Sequence, residues 1–99
     1  MPDVGTSFRV ELLEVNKGFP LSDVPLSLKN PRITPLESNT GRVVVGFNAH
    51  LRATTSEYNG DALEVGDDMT WENETRDVSK IFIAVEVVNE GVIVSGDYA

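Results

Sequence analysis

Along most of this chain apolar residues recur at every second position, the period of a strand with one buried face, and not at every third or fourth. FRVELLEV (8–15) is rich in Val and Leu and ends at Asn16-Lys17-Gly18, which predicts a strand closed by a turn. GRVVVGFNAHLRAT (41–54) carries the clearest alternation. Its odd positions Val43, Val45, Phe47, Ala49, Leu51 and Ala53 are all apolar, while Arg42, Asn48, His50 and Arg52 stand among the even ones. That pattern predicts one long strand with a core face and a polar face, bent or bulged at Gly46. Tyr58-Asn59-Gly60-Asp61 is a turn signal, and ALEV (62–65) a short strand after it. KIFIAVEVV (80–88) is apolar on both faces apart from Glu86 and predicts a central strand covered on both sides. Asn89-Glu90-Gly91 then predicts a three-residue hairpin loop, with VIVSGDY (92–98) returning antiparallel beside its predecessor.

Two stretches break the rhythm. Residues 18–41 hold Pro20, Pro25, Pro31 and Pro35, each of which removes a backbone donor. The expectation is an extended Pro-rich loop, with LSLK (26–29) and RIT (32–34) as edge strands at most. It is too apolar for a disordered linker. Phe19, Leu21, Leu26, Leu28 and Ile33 must be buried on the domain's own flank or on a neighbouring molecule. Residues 66–79 form an acidic loop in which Asp67, Asp68, Glu72, Glu74 and Asp77 face the single base Arg76 and surround the only Trp, Trp71. Helix signals are poor there, and one short turn is the most this stretch supports. The reading is a single all-β domain over 1–99, an antiparallel β-sandwich or small barrel, with residues 1–7 as an N-terminal arm.

Composition narrows the function classes. The chain has 99 residues, 40% apolar and 24% charged, with no Cys and one His. Disulfides, thiolate chemistry and sites needing two imidazoles are excluded. A net charge of −8 argues against nucleic acid and anionic membranes as partners. MPDVGTSFRV lacks a basic start followed by an apolar run, so no secretion signal is expected. The charge is uneven. Residues 1–56 hold five acids and six bases, a net of +1, whereas residues 57–99 hold eleven acids and two bases, a net of −9.

The acidic loop lacks the spacing of an EF-hand, and no Gly-rich phosphate loop or nucleophile elbow is present. No catalytic group, cofactor or metal site is therefore nominated, and the chain is read as a non-enzyme. Trp71 either anchors the loop or meets a partner. The expectation is a structural subunit of a large symmetric assembly, with a virion as the setting: a capsid decoration, head–tail or tail component assembled in the host cytoplasm. Its partners would be identical subunits or a larger structural protein. The contacts expected are the apolar Phe19, Leu21, Leu26, Leu28 and Ile33, and Arg42, His50 and Arg52 of one copy against Asp67, Asp68, Trp71 and Glu72 of the next. The alternatives are a monomeric adhesion or carbohydrate-binding module, with or without a stabilising Ca²⁺, and a small acidic inhibitor that mimics nucleic acid.

Overall fold

The computed structural model describes residues 5–53 and 60–99. The alternation resolves into two antiparallel sheets packed face to face, a β-sandwich. The first sheet begins at an edge with β1 (Gly5–Glu11), continues through β9 (Gly91–Tyr98) to β3 (Ser27–Pro35), and ends with β6 (Met69–Thr70) and β7 (Thr75–Asp77), both lying along β3. The second runs β2 (Phe19–Pro20), β8 (Phe82–Val85), β4 (Val43–Gly46), β5 (Asp61–Leu63). A single 3₁₀ turn (Val78–Lys80), capped by Asp77, joins β7 to β8. Inward residues of both sheets, among them Leu28, Ile33, Val43, Val45, Ile83, Val85, Val92 and Val94, form the main core.

The Pro-rich stretch is not a loop. β3 is nine residues long and interior to its sheet, with β9 on one side and β6 and β7 on the other. A bulge makes this possible. The register with β9 slips between Lys29 and Arg32, and Asn30 takes φ = 50°, a left-handed conformation that Asn tolerates better than most side chains. Pro31 therefore falls where the ladder is already interrupted. Its carbonyl accepts the Trp71 N–H at 3.1 Å. Pro20 lies in an edge strand and Pro35 closes β3. Each of these three prolines thus occupies a place where a donor is dispensable.

The long strand expected over 41–54 ends at Gly46. The chain turns there, with the Asn48 side chain accepting the His50 N–H at 2.9 Å, and Phe47 and Ala49 are exposed. Leu51 and Ala53 come back over the outer face of the second sheet, forming a small cluster with Val44 and Ala84. Odd-position burial of Leu51 and Ala53 thus arises without strand continuity. Leu51 lies over Gly46, so tightly that a Cβ there would stand 2.5 Å from Leu51 Cδ1.

β8 is central, as its apolar run predicts, but β8 and β9 are not a hairpin. They lie in different sheets, and residues 86–90 cross from one to the other. The left-handed residue is Asn89 (φ = 66°), not Gly91. Glycine is needed at 91 for a different reason: a Cβ would collide with the carbonyl oxygen of Val10 on the neighbouring strand. Of the N-terminal arm, residues 5–7 belong to β1, and residues 1–4 lie outside the described residues, as do Tyr58 and Asn59 of the predicted turn.

Candidate interaction surfaces

The crossover at residues 86–90 is held from two sides. On one side, the Glu90 carboxylate accepts the Thr40 N–H at 2.7 Å, the Thr40 hydroxyl at 3.0 Å and the Gly41 N–H at 3.0 Å. Glu86 accepts the Arg42 N–H and Nε, each at 2.8 Å. The buried Asn39 amide donates to the Gly91 carbonyl and accepts its N–H. On the other side, the Leu12 N–H donates to the Glu90 carbonyl at 3.0 Å, Asn89 N–H to Leu12 at 2.8 Å and Asn16 N–H to Val85 at 2.9 Å. Residues 12–16 and 85–90 are thereby fixed together at one end of the sandwich.

These carboxylates make the fold acid-sensitive. The Arg42 guanidinium holds the Glu86 carboxyl below its ordinary range. Burial pushes Glu90 up, but the amides of Gly41 and Thr40 and the Thr40 hydroxyl outweigh it, and the net shift is downward. At Asp77 the Ser79 hydroxyl and the Leu26 N–H act in the same downward sense. A carboxyl that ionises more readily folded than unfolded contributes fully above about pH 4.5 and loses that contribution as pH falls through the folded value. The melting temperature should be flat near neutrality and fall below about pH 4.5. Glu90→Ala, which strands two backbone donors, should cost roughly 2 kcal/mol at neutral pH and flatten the acid limb. Thermal melts across pH check both; an unchanged acid limb would contradict the assignment.

The predicted contact residues divide. Leu21, Leu28 and Ile33 are interior residues of this chain, at 3%, 0% and 0% exposure, and cannot contact a partner in the folded state. Their segment is a core strand with its approach, not an arm. Phe19 and Leu26 are half-buried against the same core, and the Lys17 ammonium lies 5.3 Å from the Phe19 ring. Arg42 is committed to Glu86 of its own chain, and Arg32 to Asp68. Arg52 donates to the Leu51 carbonyl at 3.1 Å. Because the strand breaks at Gly46, Arg42 shares no strand face with His50 and Arg52. The Asp67 carboxylate closes a turn by accepting the Glu64 N–H at 2.9 Å, and Glu72 is exposed. Trp71 anchors its loop: it packs on the core, with the Arg76 guanidinium 5.5 Å from its ring. The charge pairs expected between copies are, for Arg42 and Asp68, made within one copy.

A surface that the alternation concealed lies at the fixed end. Leu13 is 78% exposed, Val88 48%, Val15 44% and Val87 37%. A cleft of about 410 Å³ lined by Glu11, Leu12, Leu13, Glu14 and Phe19 adjoins them. The signal was present as two apolar doublets, Leu12-Leu13 and Val87-Val88. In a strand-like chain one member of such a doublet must face outward. A second cleft, of about 540 Å³, lies between Thr40, Arg42, Glu64 and Glu86, but Arg42 and Glu86 are engaged with each other there.

Among the described residues, no group of three or more His, Asp or Glu side chains is placed to hold a metal ion, and no helix is long and apolar enough to cross a membrane. Comparison of the chain with protein-family models, curated proteins and solved structures finds no match.

Proposed function

We propose that this chain is a non-enzymatic structural subunit of a larger symmetric assembly, with a virus particle as its setting and a decoration, head–tail or tail role within it. The observation that carries this reading is the apolar end of the sandwich. Leu13, Val15, Val87 and Val88 are presented to solvent by backbone that is hydrogen-bonded in place from both sides. A rigid apolar projection loses little conformational entropy when a neighbour covers it. It fits a protein partner better than nucleic acid, given a net charge of −8. The nucleic-acid mimic is less well supported, because Asp68, Glu74 and Glu86 are neutralised by bases of their own chain. The carbohydrate-binding reading loses its stacking residue, since Trp71 is packed on the core.

Sedimentation of extracts from the source that makes the protein, with the chain followed by antibody, tests the proposal. The chain should travel in a particle far heavier than 10.8 kDa, at fixed stoichiometry. Paired substitution Leu13→Asp with Val88→Asp should reduce incorporation by about a hundredfold, the equivalent of leaving two burials of about 1.5 kcal/mol each unmade. Melting temperature should move little, because Leu13 is mostly and Val88 about half in water already. Recovery of the native chain only as free protein would overturn the reading.

A further inference from the structure

The four outer edges of the two sheets are not alike. β2 and β5 are two and three residues long, and β2 contains Pro20. Along the far side of β3, β6 and β7 are separate pieces of two and three residues. These are short or broken edges, the usual protection against pairing with another chain. β1 has none of these devices. It is seven residues long, contains neither Pro nor Lys, and pairs only with β9 among the described residues.

The direction of its free groups follows from the ladder. Leu12 turns both its N–H and its C=O toward the β9 side, bonding Glu90 and Asn89. Alternation then turns those of Val10, Phe8 and Thr6 the same way and leaves the N–H and C=O of Gly5, Ser7, Arg9 and Glu11 pointing outward. The side chains alternate in step. Those of Ser7, Arg9 and Glu11 are exposed, and those of Thr6, Phe8 and Val10 are half-buried.

We propose that β1 is a self-complementary edge on which a second copy of this chain docks, antiparallel, about a two-fold axis at Val10. That register places Arg9 of each copy opposite Glu11 of the other, in the positions that exchange two backbone hydrogen bonds. Arg9 and Glu11 already form a 3.1 Å ion pair on the exposed face within one copy. Docking extends this pair into a four-charge cluster across the seam. A register centred on Arg9 would set like charges directly opposite, and one centred on Phe8 would set Arg9 against Ser7; neither uses the complementarity. The Val10 register also sets Val10 against Val10 and Phe8 against Leu12, over a cleft of about 330 Å³ that opens beneath the edge beside Phe19 and Leu21. Because β1 ends at Glu11, the strand pairing is confined to Arg9, Val10 and Glu11 of each copy, and through it the first sheets of the two copies join in an isologous contact. This goes beyond the assembly reading and needs no particle.

Sedimentation equilibrium and charge exchange test it. The chain should be a dimer at tens of micromolar. Arg9→Glu alone and Glu11→Arg alone should each weaken the dimer about tenfold or more, and the double exchange should return it to within about threefold of the original. Both positions are exposed, so the folded monomer survives. As the chain has no Cys, single-cysteine variants report the register. Val10→Cys should cross-link under mild oxidation, since residues on the axis in a non-hydrogen-bonded pair lie within disulfide reach. Phe8→Cys should not. A monomer at every concentration, a double exchange that stays weak, or cross-linking at Phe8→Cys in place of Val10→Cys would each overturn the proposal. The two readings fail separately. A monomer that still enters a particle removes only the edge pairing, and a dimer recovered free of any particle removes only the assembly.

Discussion

Replacing Gly91 with alanine is expected to cost about 3 kcal/mol, the upper end of what overpacking usually costs. A Cβ at that position would run into the Val10 carbonyl oxygen and lie 2.8 Å from its carbon and 3.0 Å from Glu11 Cα. All three atoms are backbone, so no side chain can swing aside. Either β1 leaves β9 at its C-terminal end or the crossover at 86–90 shifts and loses the bonds to Glu90. A urea titration gives the cost, and amide exchange locates it: Phe8 and Val10, whose amides face β9, should lose protection first. Gly46→Ala is the internal comparison. There the new atom meets only the tip of the Leu51 side chain, which can rotate. If Gly91→Ala shifted the urea midpoint no more than Gly46→Ala, the close passage of β1 against β9 would be wrong.

Leu28→Ala should also cost about 3 kcal/mol, the transfer term plus the cavity left in a well-packed interior. Leu28 is fully buried, opposite Tyr98 on one neighbouring strand and Arg76 on the other. Leu13→Ala removes the same atoms from a side chain that is 78% exposed and should change stability by less than about 0.5 kcal/mol. The pair separates two accounts of residues 18–41. An arm that orders only on a neighbour would leave both substitutions silent in the isolated protein. A core strand makes one of them severe, against a total stability of about 5–15 kcal/mol for a domain of this kind.

The strand period was the most legible feature of the chain, because it follows from the pleat and survives any topology. It located β1, β4, β8 and β9 and placed β8 at the centre of a sheet, but it carried the first strand to Val15, whereas β1 ends at Glu11 and the chain bends from Leu13 onward. It could not say which sheet each strand joins. Asn89-Glu90-Gly91 has the composition of a hairpin loop, yet Glu90 is drawn to the amides of Thr40 and Gly41, a contact made 50 residues away. The prolines misled for a related reason. A proline disqualifies a regular central strand, but Asn30 supplies the left-handed turn that takes Pro31 out of the ladder, and residues 71–74 bond to that bulge. Of the candidate contacts, charge and hydropathy marked which residues needed partners and not where the partners were. Arg42, Asp68 and Leu28 all found theirs inside the chain. The exposed apolar end was written in the doublets, and the open edge of β1 became visible only once β9 had claimed its other side.

The place of β9 in the first sheet has a consequence for how the protein comes into being. This strand, at residues 91–98, is flanked by β1 and β3, so its ladders join Gly5 to Asp97 and Thr34 to Ile93. Neither β1 nor β3 can complete its pairing until residue 98 has emerged from synthesis. Long-range pairings of this kind place small β-sandwiches among the slow folders, at about milliseconds to seconds. A nascent chain will therefore carry β1 with both edges open for as long as β9 is missing, and in that interval the closest matching strand is the β1 of another nascent chain. The edge on which we propose that finished copies pair would be the same edge at which incomplete chains could pair too early.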